Sequence, residues 1–94
     1  MKFNTKRTSD KPYVYKGHIR IFDCKLSTSD LKWHRDKGNR FVYVLSGDNW
    51  YLQFDNSIPF LLKQNKRYKI TSGICHRLIN KSKTDLKIKI YEYR

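Results

Sequence analysis

Acidic residues are scarce in this chain: 8 Asp and Glu stand against 21 Lys and Arg, a formal net charge of +13. Such an excess favours anionic partners, whether nucleic acid, phosphorylated metabolites or acidic surfaces, and it equally gives a basic surface that keeps a protein in solution. The lysines are spread along the chain, so charge alone marks no single patch. Long apolar runs are missing, so no transmembrane helix and no membrane partner are expected. No hydrophobic stretch follows the charges of MKFNTKRTSDK. That start does not read as a secretory signal, and the cytoplasm is the expected compartment. Cysteine is limited to Cys24 and Cys75, far apart and in no CxxC motif. A disulfide is not expected between them in a reducing compartment. No segment carries a helical apolar period, and there is no repeat or low-complexity stretch.

What is present is β-prone and aromatic. The 94 residues fit one domain. A chain of this length buries only about 60–65% of its unfolded surface, so a homodimer would add stability. Aromatic residues make up 15% of the chain, enough for a compact core. Residues 1–11 read as a flexible basic arm and residues 12–94 as the single ordered domain, entered at Pro12. Short strands are expected at residues 13–15, 18–26, 31–36, 40–45, 50–54, 58–62, 68–70, 75–79 and 86–91. Turns separate them, including a hairpin-type connection at residues 46–49. Pro59 suits an edge or a strand start. In the last strand Leu86, Ile88 and Ile90 alternate with Lys87, Lys89 and Tyr91, a clean in–out pattern. Many short strands with frequent turns indicate an all-β sandwich or barrel.

Two stretches carry the chemistry. NKRYKITSGICHRLIN, residues 65–80, reads as a strand, a tight turn and a strand, with His76 just past the turn. Gly73 takes positive φ there at no steric cost, and Asn65 is a residue that tolerates the left-handed conformation. HRDKGNR, residues 34–40, puts His34 and Asp36 two apart on a predicted strand, hence on one face.

These stretches resemble the two motifs of the cupins. In the second motif Asn65, Thr71, Gly73, His76 and Asn80 hold the spacing, with Asn65 for a glycine and Thr71 for a proline. In the first, His34 and Gly47 match, Asp36 stands in place of a histidine, and Arg40 stands in place of a glutamate. VLSG and CHRLIN are similar to the cupin domain of type II mannose-6-phosphate isomerases and mannose-1-phosphate guanylyltransferases. The resemblance covers roughly residues 20–93. It implies a double-stranded β-helix, a small jelly-roll barrel, with both motifs at one mouth. It also implies dimerisation and a divalent metal bound by the motif residues.

With those substitutions the metal ligands become His34, Asp36 and His76, two imidazoles and a carboxylate. Such a set suits Fe, Mn, Ni or Zn and leaves positions open. Arg40 has two readings. It closes the site by pairing with Asp36, or it holds the anionic group of a ligand in a bidentate fork. Arg77 and Tyr43 are further ligand-binding candidates, and Trp33, Trp50, Tyr51, Phe54 and Tyr68 line a pocket or fill the core. His34 and His76 are the candidate proton carriers.

Three functions follow. The first is a small-molecule cupin that binds an anionic metabolite of the sugar-phosphate kind, with isomerisation or epimerisation as the reaction. The second is a metal-free, non-catalytic module whose basic surface binds nucleic acid or an acidic partner. In that reading Lys87, Lys89, Tyr91 and Tyr93 share one face and interleave cations with rings. The third is a dioxygenase using Fe(II) on His34, Asp36 and His76.

Overall fold

In a computed structural model, which describes residues 11–93, the chain forms eight strands and, among the described residues, no helix. They are β1 (Val14–Lys16), β2 (Ile19–Phe22), β3 (Asn39–Ser46), β4 (Trp50–Phe54), β5 (Phe60–Leu61), β6 (Arg67–Ile70), β7 (His76–Asn80) and β8 (Leu86–Tyr93). Residues 1–10 of the expected basic arm lie outside the described residues. Two antiparallel sheets face each other, one in the order β1-β2-β8-β3-β6 and the other β5-β4-β7. From β3 onward the chain keeps changing sheet, at β3–β4, β5–β6, β6–β7 and β7–β8. That winding is the jelly-roll arrangement of a cupin double-stranded β-helix, and the fold class expected from the sequence stands.

Alternation builds the core. Leu86, Ile88 and Ile90 of β8 are buried against Val42 and Val44 of β3, with Trp50 and Leu52 of β4 and Phe22 of β2. Trp50 has no exposed surface, and its indole N–H donates to the Thr84 carbonyl at 2.8 Å, so the buried donor is satisfied. Cys24 and Cys75 are both free thiols.

Three local expectations give way to the sheet. Residues 46–49 do not close a hairpin, because β3 and β4 belong to different sheets and the turn carries the chain around a corner. The strand expected at residues 18–26 ends at Phe22, where Leu26 N–H donates to the Asp23 carbonyl at 3.1 Å and turns the chain. The strand expected at residues 31–36 reduces to one bridge, between His34 and His76. Alternation reads which face a side chain takes, not whether its backbone finds a ladder partner. Pro59 sits just ahead of β5, an edge strand, as its missing N–H requires.

The glycine of the first motif has a steric reason. Gly47 has φ +125°, and a Cβ there would lie 3.0 Å from the Asp85 carbonyl oxygen and 3.1 Å from the Leu86 Cα. Both neighbours are backbone and cannot move aside cheaply. Gly47→Ala is expected to cost about 2–4 kcal/mol in chemical denaturation. Gly17→Ala, at φ +62° with open space around it, is expected to cost only about 1–2 kcal/mol.

Candidate metal centre

Two loops meet at the mouth of the barrel and are tied by backbone. His34 N–H donates to the His76 carbonyl at 3.0 Å, and His76 N–H donates to the His34 carbonyl at 2.9 Å. Gly73 N–H donates to the Asp36 carbonyl at 2.9 Å, and the Arg35 guanidinium reaches the Gly73 carbonyl at 2.7 Å. Ser72 adds its N–H to Asn39 Oδ1 and its hydroxyl to the Lys37 carbonyl. The turn at Gly73 takes φ +79° and the one at Asn65 takes φ +67°, as the two motif positions require. Asn80, last residue of the second motif, donates from Nδ2 to the carbonyls of Cys24 and Leu26, both at 2.9 Å. It thereby pins the loop after β2.

The three residues expected as metal ligands are brought together. One ligand atom from each of His34, Asp36 and His76 lies within 4.8 Å of the others. His76 is 3% exposed, so its ring sits inside the barrel rather than on the rim. The tautomers follow from the carbonyls. His76 Nδ1 lies 2.8 Å from the Ile74 carbonyl and His34 Nδ1 lies 3.0 Å from the Lys32 carbonyl. A carbonyl oxygen only accepts, so each Nδ1 carries the proton and each Nε2 is turned toward Asp36. His76 Nε2 lies 3.3 Å from Asp36 Oδ2, and His34 Nε2 lies 3.8 Å from Asp36 Oδ1. A bare ring nitrogen against a carboxylate oxygen repels, and only a proton or a metal ion between them makes the contact attractive. The donor set fits a divalent metal.

Around this cluster lies a cavity of about 1050 Å³. Its apolar wall includes Phe22, Val42, Leu52, Ile70, Ile88 and Ile90. Its polar wall has three guanidiniums, of which Arg35 is bound to the Gly73 carbonyl. Arg40 pairs with Asp36 Oδ1 at 3.4 Å and with Glu92 Oε2 at 3.1 Å, while its buried Nε has no hydrogen-bond partner. Arg20 stacks over Tyr13 at 4.5 Å and, among the described residues, pairs with no carboxylate. Burial pulls the Arg20 pKa below its usual value by desolvation, although Tyr13, Asp36 and Glu92 push the other way. Burial also pushes the Asp36 carboxyl up, but the His76 hydrogen bond and the charges of Arg40, His76 and His34 outweigh it and hold the pKa below the ordinary value.

Tyr43 and Arg77 are not brought to this cavity. Each neighbours an inward residue, Val42 or Val44 in one case and His76 in the other, so the pleat turns each outward. Tyr43 packs edge-on to Tyr91 at 5.5 Å on the outside of the larger sheet. Arg77 stacks over Trp33 at 4.6 Å and bonds Gln53 Oε1 at 2.9 Å. Trp50 is core, and Phe54 and Tyr68 pack against it. Sequence reasoning did not single out Arg20 and Glu92. The signal was there in the alternation, which puts Arg20 on the face of Phe22 and Glu92 on the face of Ile90.

No protein-family profile matches the chain, and no curated protein does. Solved structures do. The iron(II) form of HppE superposes with a TM-score of 0.63 at 18% identity over 80% of this chain and 40% of that one. Hydroxypropylphosphonic acid epoxidase from S. wedmorenis gives 0.64 at 18% identity, over 80% and 41%. An RmlC-like cupin family protein with a double-stranded β-helix fold from Methanocaldococcus jannaschii gives 0.62 at 10% identity, over 96% and 88%. The chain thus spans about two fifths of the epoxidase chains. At these identities the likeness establishes the cupin fold.

The depressed Asp36 pKa has a sign that can be checked. A carboxyl whose folded pKa lies below its unfolded one contributes stability that is complete above the unfolded value and lost as pH falls through the folded value. In metal-free protein the Asp36 carboxyl is expected to titrate below the roughly 3.9 of a free aspartate, followed by carbon-13 NMR. Asp36→Asn is expected to flatten the loss of stability in that acid range.

Proposed function

We propose that this cupin holds a divalent metal on His34, Asp36 and His76 and binds a small anion beside it, with Fe(II) as the best-fitting metal. The carrying observation is the convergence of two Nε2 atoms, each with its tautomer set by a carbonyl, on one carboxylate inside a cavity whose wall offers Arg20, which among the described residues has no carboxylate partner. Two imidazoles and one carboxylate are the facial set used by non-haem iron sites. Held there, a metal would supply Lewis-acid or one-electron chemistry to a ligand beside it. The iron(II) form of HppE and an epoxidase named for a phosphonic acid share the fold, which supports the choice of metal and of an anionic ligand.

The residues divide the work. Carbonyls of Ile74 and Lys32 keep Nδ1 protonated, so both imidazoles present Nε2. Arg40 holds the Asp36 carboxylate through Oδ1, the oxygen that also faces His34, and ties it to Glu92 at the mouth. Arg20 offers a fork for phosphate, phosphonate or carboxylate. The apolar wall excludes water around the ligand's carbon skeleton. A sugar phosphate of the kind suggested by VLSG and CHRLIN falls within this ligand class. Isomerisation needs a free base, however, and the carboxylates here are already engaged: Asp36 with His76 and Arg40, Glu92 with Arg40. The geometry therefore favours metal-centred chemistry over a proton shuttle.

Protein loaded anaerobically with Fe(II) and stripped of excess is expected to keep about one iron per chain, and His76→Ala to lose it. Arg20→Gln is expected to keep the metal and to weaken inorganic phosphate by about tenfold or more in calorimetry, the worth of a charge-assisted pair. Phosphate binding indifferent to Arg20→Gln would contradict the anion reading.

A further inference from the structure

A second arrangement lies on the other side of the larger sheet, away from the cavity. Register sets Ile19, Lys89, Tyr43 and Arg67 side by side across β2, β8, β3 and β6. The next row on the same face is Tyr91, Phe41 and Lys69 across β8, β3 and β6. Facing cross-strand residues share one face, so these rows form a continuous surface. Rings and cations interleave on it. Arg67 lies 4.4 Å over Phe41 and Lys89 lies 5.2 Å from the Tyr91 ring. Tyr91 is 40% exposed, and with Tyr43, Leu45 and Lys89 it bounds a shallow concavity of about 520 Å³.

Neither of the two rows carries a carboxylate. The only acid of β8, Glu92, points the other way and pairs with Arg40. Two copies of such a face would press like charges together, which disfavours a self-dimer through it. Cations alone would satisfy any polyanion, but half-exposed rings set among them call for flat, unstacked partners. A single-stranded nucleic acid offers both, with phosphates for Lys89, Arg67 and Lys69 and a free base face to extend the stack that His18 already makes with Tyr91 at 5.7 Å. A duplex hides its base faces and offers only phosphates.

We propose that the outward face of the larger sheet binds single-stranded nucleic acid, with Tyr91 as the stacking platform and Lys89, Arg67 and Lys69 pairing with phosphates. The site is distinct from the metal centre and does not depend on it.

Fluorescence anisotropy on the full chain tests this with a labelled oligothymidylate of about 20 nucleotides, longer than typical site sizes, and the matching duplex. The single strand is expected to bind more tightly than the duplex. Tyr91→Ala is expected to weaken it roughly 5- to 150-fold, and Tyr91→Phe to retain the affinity. The pair Lys89→Glu and Arg67→Glu is expected to lower the salt slope by about 1.4, at roughly 0.7 for each phosphate that is no longer neutralised. The charge-matched pair Lys63→Glu and Lys83→Glu, in loops elsewhere, is expected to keep most of the affinity. Circular dichroism and melting check that each variant folds. The proposal is overturned if Tyr91→Ala binds as the parent does, if the loop pair is as damaging as the sheet pair, or if duplex and single strand bind alike. It is also overturned if the parent chain binds no oligonucleotide, whether sedimentation shows a monomer or a self-dimer.

Discussion

The reciprocal backbone hydrogen bonds between His34 and His76 are the constraint on which the mouth of the barrel depends. Residues 31–36 have no ladder of their own, so this bridge, with the Gly73 N–H on the Asp36 carbonyl, fixes where His34 and Asp36 stand relative to β7. With the backbones locked, the side chains have little choice. Each imidazole meets a carbonyl through Nδ1, and both Nε2 atoms are left to converge on Asp36. Ligand geometry here is a consequence of main-chain pairing. It survives the substitutions that separate these motifs from the usual cupin pattern.

The replacement of a glutamate by Arg40 changes the charge of the cavity. In the sequence two outcomes for Arg40 stood side by side, closing the site or holding an anion. The structure shows the pairing of the first reading: Arg40 binds Asp36 and also Glu92, with one buried nitrogen unpaired. Arg20, on β2 across β8 from Arg40, stacks over Tyr13 and among the described residues pairs with no carboxylate. The positive charge of the chain is thus divided by the larger sheet. Arg20 and Arg40 face inward to a small cavity, while Lys89, Arg67 and Lys69 face outward among rings.

Much of this was legible in the sequence, and the parts that were not share a cause. Gly73, Asn65 and Gly47 could be read because a left-handed or crowded backbone restricts residue type locally. The His34, Asp36 and His76 cluster could be read because two short motifs with fixed spacing carry it. The outward fate of Tyr43 and Arg77 was implied by alternation once Val42 and His76 were placed inside. The corner at residues 46–49 was not legible, because a Ser-Gly-Asp-Asn turn looks the same whether it closes a hairpin or crosses between sheets. Nor was the loss of the strand at residues 31–36, since pairing depends on partners distant in sequence.

The most direct measurement is the X-ray absorption spectrum of the metal-loaded protein, beside that of His34→Ala. The structure holds a second group of metal-capable side chains, Asp23, Cys24 and Asp85, which would contribute sulfur. The account predicts a shell of nitrogen and oxygen with imidazole scattering, reduced in His34→Ala, and no sulfur. A sulfur ligand, or a spectrum unchanged by the substitution, would place the metal elsewhere and contradict it.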